Sequence, residues 1–181
     1  MKRTIVIFSA ALVGLLAVGR QPVAGFDIPE RDDWLKIHYR AMMSLNSLSD
    51  WVNTGQVVTE GWEMRIAAIG RVTLNTTLDG GAAGTMDADG VRGLADDDPS
   101  KKKLKTNVLF PAPNLTAYGL IGRIRDQRGE VVGLFDLGVD VELDIPAGGR
   151  FEITINDDVK ADNAGSLDVY IFLRKKERIG F

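Results

Sequence analysis

Three separate stretches of this 181-residue chain alternate apolar and polar residues with a period of two, and that pattern restricts the fold more than any other feature. Trp62, Met64, Ile66 and Ala68 alternate with Glu63, Arg65 and Ala67. Val139, Val141 and Leu143 alternate with Asp140, Glu142 and Asp144, and Phe151, Ile153 and Ile155 with Glu152, Thr154 and Asn156. Successive side chains of a strand point to opposite faces, so each stretch reads as a strand with one buried and one wet face. Such strands belong to antiparallel sheets rather than to doubly wound parallel ones. The last apolar run differs. Leu167, Val169, Ile171 and Leu173 form one apolar face, while Tyr170 and Phe172 make the opposite face apolar too, so this strand needs cover on both sides. Turn residues at Gly55, Gly61, Gly70, Gly129, Gly138 and Gly148-Gly149 separate the runs, as in an all-β sandwich with short connections. The exception is residues 76–113, a Gly-, Asp- and Lys-rich stretch of the length that usually carries function or mobility.

Ahead of the strands the period changes. Asp27-Ile28-Pro29-Glu30 has the form of a helix start, with Asp27 as cap, Glu30 closing a capping box and Pro29 in the first turn. Trp34, Ile37, Ala41, Leu45 and Leu48 follow at spacings of 3, 4, 4 and 3, one helical face. A helix over 29–47 is expected, packed near Tyr170 and Phe172. Residues 1–25 read as a secretory signal peptide: Lys2 and Arg3, an uncharged run to Gly19, and small residues Val23 and Gly25 at the cleavage positions. The apolar run is shorter than the roughly 20 residues that cross a bilayer. The expected organisation is thus a signal peptide over 1–25, a helix and linker over 26–50, and a β-sandwich over 51–181, in a secreted or periplasmic protein.

Charge and residue usage remove several function classes. Cleavage takes away Lys2, Arg3 and Arg20 and leaves 19 basic residues of the original 22 against 25 acidic ones. An acidic chain is a poor polyanion binder, so nucleic acid is disfavoured. The one basic cluster, Lys101 to Lys105, follows Asp96-Asp97-Asp98 and reads as a solvated mixed-charge loop. There is no Cys, which excludes disulfides, thiolate metal sites and lipidation, and the sole histidine is His38. Neither a Gly-x-Ser-x-Gly elbow nor a P-loop is present, so no enzymatic activity is expected.

One segment carries chemistry. Asn156-Asp157-Asp158-Val159-Lys160-Ala161-Asp162-Asn163 places three carboxylates and two amides within eight residues between two strands, with Gly165 releasing the chain into the last one. The pattern fits two readings. Asp and Asn favour solvated turns. Equally, carboxylates crowded in a bent loop repel, and a hard cation relieves the repulsion; calcium takes about 6–8 oxygens from carboxylates, amides, carbonyls and water. Asp87-x-Asp89-Gly90 also looks like the start of an EF-hand loop, but its twelfth position is Asp98 rather than Glu.

The ordered set Trp51-Val52-Asn53-Thr54-Gly55, Arg65 to Gly70, Gly119 to Ile124, Ile155-Asn156-Asp157 and Asp162 to Ser166 resembles the PA-IL-like galactophilic lectins of bacteria, over roughly Trp51 to Leu173. The resemblance implies an all-β antiparallel β-sandwich, jelly-roll or galactose-binding-domain-like, here with the added N-terminal α-helix. It implies a Ca2+ ion at the sandwich edge that binds two hydroxyls of a galactose-type sugar, and a homo-oligomer for avidity. Its metal residues map to Asp157, Asp162 and Asn163, with carbonyls from 159–161 and near Leu74. Two departures stand out. The loop from Asp157 to Asp162 is about two residues short, and the His and Gln of the family's sugar-selecting loop have no counterpart in the corresponding Thr85 to Gly90. A calcium-stabilised structural or protein-interaction sandwich without sugar binding is the alternative that these departures favour.

Overall fold

The computed structural model describes residues 39–46, 50–74, 84–93 and 109–176. Among the described residues nine strands follow in chain order: β1 (Tyr39–Asn46), β2 (Val52–Val58), β3 (Trp62–Leu74), β4 (Gly84–Met86), β5 (Leu120–Arg125), β6 (Val131–Asp136), β7 (Asp140–Asp144), β8 (Gly149–Ile155) and β9 (Ala164–Lys175). They build two antiparallel sheets. One has the order β1-β9-β3-β4, with β7 also paired to β3, and the other runs β2-β8-β5-β6. The alternating runs supply the face between them. Met64, Ile66, Val72, Leu167, Val169 and Ile171 from the first sheet meet Leu120, Ile124, Phe151, Ile153 and Ile155 from the second, all essentially without solvent contact. Burial at about 25 cal/mol per Å² of apolar surface makes this layer the main source of stability in a chain with no disulfides.

The helix expected over 29–47 is not found where the structure can test it. Residues 39–46 form β1, antiparallel to β9 with Met42 opposite Tyr170 and Leu45 opposite Leu167. A spacing of four is the reason for the misreading, since positions i and i+4 share a face in a helix and equally in a strand. Ala41 and Leu45 do lie on one face, but Met43 lies between them on that same side, while Met42, Ser44 and Asn46 are exposed. The segment does meet Tyr170, through backbone pairing along the edge of β9 rather than by covering its face. Residues 29–38, with His38, and the signal segment 1–25 lie outside the described residues, as do Lys101 to Lys105.

The wet face expected for β3 also needs correction. Arg65 is 2% exposed; its Nε and Nη2 donate to the two carboxylate oxygens of Asp140 on β7 at 2.9 and 2.8 Å, and its guanidinium carbon lies 5.8 Å from the centre of the Phe172 ring. Ala67 and Phe172 are buried alongside. The doubly apolar β9 therefore has a second, smaller apolar cluster on its outer side. Within the long connection, β4 pairs with Val72 to Leu74 at the end of β3, and a 3-10 turn over Gly90–Gly93 follows.

Candidate metal and ligand site at the sandwich rim

The acidic segment emerges where β8 ends and crosses from the second sheet to the first. Asn156 fixes its start. Completely buried, it accepts from the Ala112 amide through Oδ1 at 3.0 Å and donates through Nδ2 to the carbonyls of Ala112 and Thr116, both at 3.0 Å. Its backbone carbonyl accepts from Tyr118 at 2.8 Å. One side chain thus ties the 112–118 connection to the end of β8, and Asp157 comes off a rigid mount. A single turn of 3-10 helix over Lys160–Asp162 then reverses the chain. Gly165, at φ +99°, carries it into β9: a Cβ there would sit 2.4 Å from the Arg71 carbonyl oxygen, so the close approach of β3 demands glycine.

This path brings Asp157 and Asn163 together. They are 4% and 6% exposed, and the Asn163 amide nitrogen donates to Asp157 Oδ2 while the Val159 amide donates to Oδ1 at 3.2 Å. Burial raises the pKa of Asp157 above the ordinary carboxylate value; the two hydrogen bonds oppose the rise, and the neighbouring Asp158 and Asp162 charges add to it. The Asn163 amide oxygen is buried without a hydrogen-bond partner. Asp162 stands in the 3-10 turn, half-buried, close enough to act on Asp157 through its charge. Leu74 ends β3, fully buried; Thr73 pairs with Ala164, so Leu74 lies next to Asn163 across the sheet. All four residues assigned from the sequence therefore belong to one rim.

The donor chemistry suits a hard cation. Among the described residues no three carboxylate or imidazole side chains converge on a point, so a cation here would draw on amide and carbonyl oxygens besides Asp157, the mixture that calcium accepts. A buried acceptor without a partner costs about 1–3 kcal/mol. Rotating the Asn163 amide turns that oxygen toward the Asp157 carboxylate, an arrangement that a cation between them, or a proton on Asp157, makes favourable.

Other sequence-derived candidates are occupied elsewhere. Asp89 Oδ1 accepts from Arg92 Nη2 at 3.0 Å and from the Val139 amide at 3.1 Å, and Asp87 Oδ1 from the Asp89 amide at 3.0 Å. Asp87 braces its own turn and Asp89 ties that turn to Val139, just ahead of β7; Asp98 lies outside the described residues. Three residues at the rim escaped the sequence reading of the site. Lys160, half-buried inside the acidic loop, donates to Thr154 Oγ1 at 2.6 Å, and burial lowers its pKa. Trp51 and Arg123 stack at 4.0 Å. The period-two rule does place Thr154 on the outer face of β8; nothing in the sequence tells which cations reach it.

No family model matches the sequence, and neither does any curated protein. Among solved structures the chain is similar to the EclA N-terminal domain, described as a PllA-like lectin, with a TM-score of 0.50 over 74% of this chain and 96% of that one. The fold is shared with a lectin domain. At 16% sequence identity the likeness is one of architecture. It covers nearly the whole of that lectin domain.

Proposed function

We propose that this chain is an exported, calcium-dependent carbohydrate-binding protein of the PA-IL-like kind, and a binding domain rather than an enzyme. The observation that carries the reading is the buried Asp157–Asn163 pair with its partnerless amide oxygen, at the rim of a lectin-like sandwich. Asp157, Asn163 and Asp162 would hold the ion by their side chains, with carbonyl oxygens from 159–161 and Leu74. When bound, the ion supplies open coordination positions for two hydroxyls of a galactose-type sugar. The protein's share of the work is positional. Asn156 fixes the start of the loop, Gly165 its end, and β3 presents the Leu74 backbone. Assembly into a homo-oligomer, in the periplasm or outside the cell, would multiply weak single-site affinity.

The test is a glycan array read with calcium and again after chelation. Binding to galactose-type glycans that vanishes with chelator, and is absent in Asp157→Ala, supports the proposal. Equal signal in both conditions refutes it.

A second reading is favoured by one observation. Thr85 to Gly90, the expected counterpart of the sugar-selecting loop, is committed to structure: Met86 is buried and Asp87 and Asp89 hold their own turn. In that reading calcium only rigidifies the rim of a structural or protein-interaction module. A calcium-raised melting temperature together with a blank glycan array would select it.

A further inference from the structure

Trp51 stands outside the buried core. One face of its indole is covered by the Arg123 guanidinium, 4.0 Å from the ring centre, and it makes no other ring or cation contact among the described residues. The guanidinium is itself fixed, since Nε and Nη2 each lie 2.6 Å from Glu152 Oε2, across the β5–β8 pairing that puts Arg123 opposite Glu152. A cation over the ring face and a carboxylate behind the cation set the tilt of the indole before any ligand arrives. The half-buried ring packs outside the main core cluster.

Its location gives the clamp a use. Val52 pairs with Ile153, which sets Trp51 beside Thr154. Lys160, from within the acidic loop, donates to the Thr154 hydroxyl at 2.6 Å. Thr154 and Asp157 are three residues apart, roughly 10 Å along an extended chain. The indole, the Lys160 ammonium and the Asp157–Asn163 site therefore follow one another along one rim. We propose that Trp51 is a second sugar subsite, stacking the pyranose residue next to the one held at Asp157 and Asn163, so that the preferred ligand is an oligosaccharide rather than a monosaccharide. The inference rests on the carbohydrate reading above and specifies its substrate class.

The chemistry of each group fits. A pyranose has a face of C–H bonds carrying slight positive charge, which an indole face with its negative quadrupole attracts. Lys160 has three donors and spends one on Thr154, leaving donors for sugar hydroxyls. The charges of Arg123 and Lys160 are offset by Glu152 and by Asp50, whose field reaches Lys160.

The test is calorimetric titration, in calcium, of the full chain and of Trp51→Ala with methyl galactoside and with galactose-terminated di- and trisaccharides. The wild type is expected to bind the longer ligands more tightly. Trp51→Ala should lose roughly two- to tenfold on the longer ligands and nothing on methyl galactoside, and Trp51→Phe, which keeps a ring, should recover most of the loss. A misfolded variant would lose both ligands alike, so the difference between them is the readout. Equal wild-type affinity for short and long ligands, or an unchanged preference in Trp51→Ala, overturns the subsite and leaves the carbohydrate reading standing. Failure of the wild type to bind any of the three sugars removes both.

Discussion

Asp157 is a buried carboxylate among neighbouring charges at the rim, and its behaviour with pH follows from that cause. Burial, helped by the charges of Asp158 and Asp162, lifts its pKa in the folded chain above the unfolded value. The folded protein therefore holds the proton more tightly than the unfolded one. Without calcium, the cost of the ionised form is full above the raised pKa and disappears as pH falls through it toward the ordinary carboxylate range. Asp157→Asn removes the charge with little change of shape. Calcium-free melting curves should show the variant more stable than the wild type at neutral pH, with the gap closing on acidification. A gap that widens toward acid would contradict the assignment. With calcium the order should reverse, because only the carboxylate offers the metal a full charge. Gly165 is the other demanding position: Gly165→Ala forces a left-handed residue and a backbone clash against Arg71, and a loss of at least 1 kcal/mol in denaturant unfolding is expected.

At the scale of elements, the strands with strict alternation were legible before the structure, and the reason is physical: a sandwich strand touches a core on one side and water on the other. What was not legible lay where that condition fails. In β1, the four-residue spacing of Ala41 and Leu45 suits helix and strand alike, and only pairing with β9 decides between them. Arg65 reads as a wet-face residue until Asp140 and Phe172 are seen to enclose it. The acidic loop was readable because its carboxylates are local in sequence. The hub role of Asn156 was not, because its partners lie some 40 residues away. Two substitutions check these elements. Leu45 is 1% exposed, so Leu45→Ala should cost about 2–5 kcal/mol if β1 is part of the core, while exposed Met42→Lys should be nearly neutral; similar effects at both positions would contradict the strand. Asn156→Ala leaves several buried backbone groups without partners, at about 1–3 kcal/mol for each. It should lower the melting temperature by several degrees and weaken calcium binding as well, since the mount of Asp157 is lost.

For the molecule as a whole, the two sheets enclose the apolar core, and the rim loop holds the buried Asp157–Asn163 pair. A ligand that binds only the folded state adds stability by mass action, about 2.7 kcal/mol at a hundred times its dissociation constant. The most direct measurement is the melting temperature of the full chain titrated with calcium, beside Asp157→Asn under the same conditions. The account predicts a rise of several degrees in the wild type that saturates, reverses with chelator, and is absent from the variant. A wild-type curve that does not move with calcium, or one that moves equally in Asp157→Asn, would contradict it.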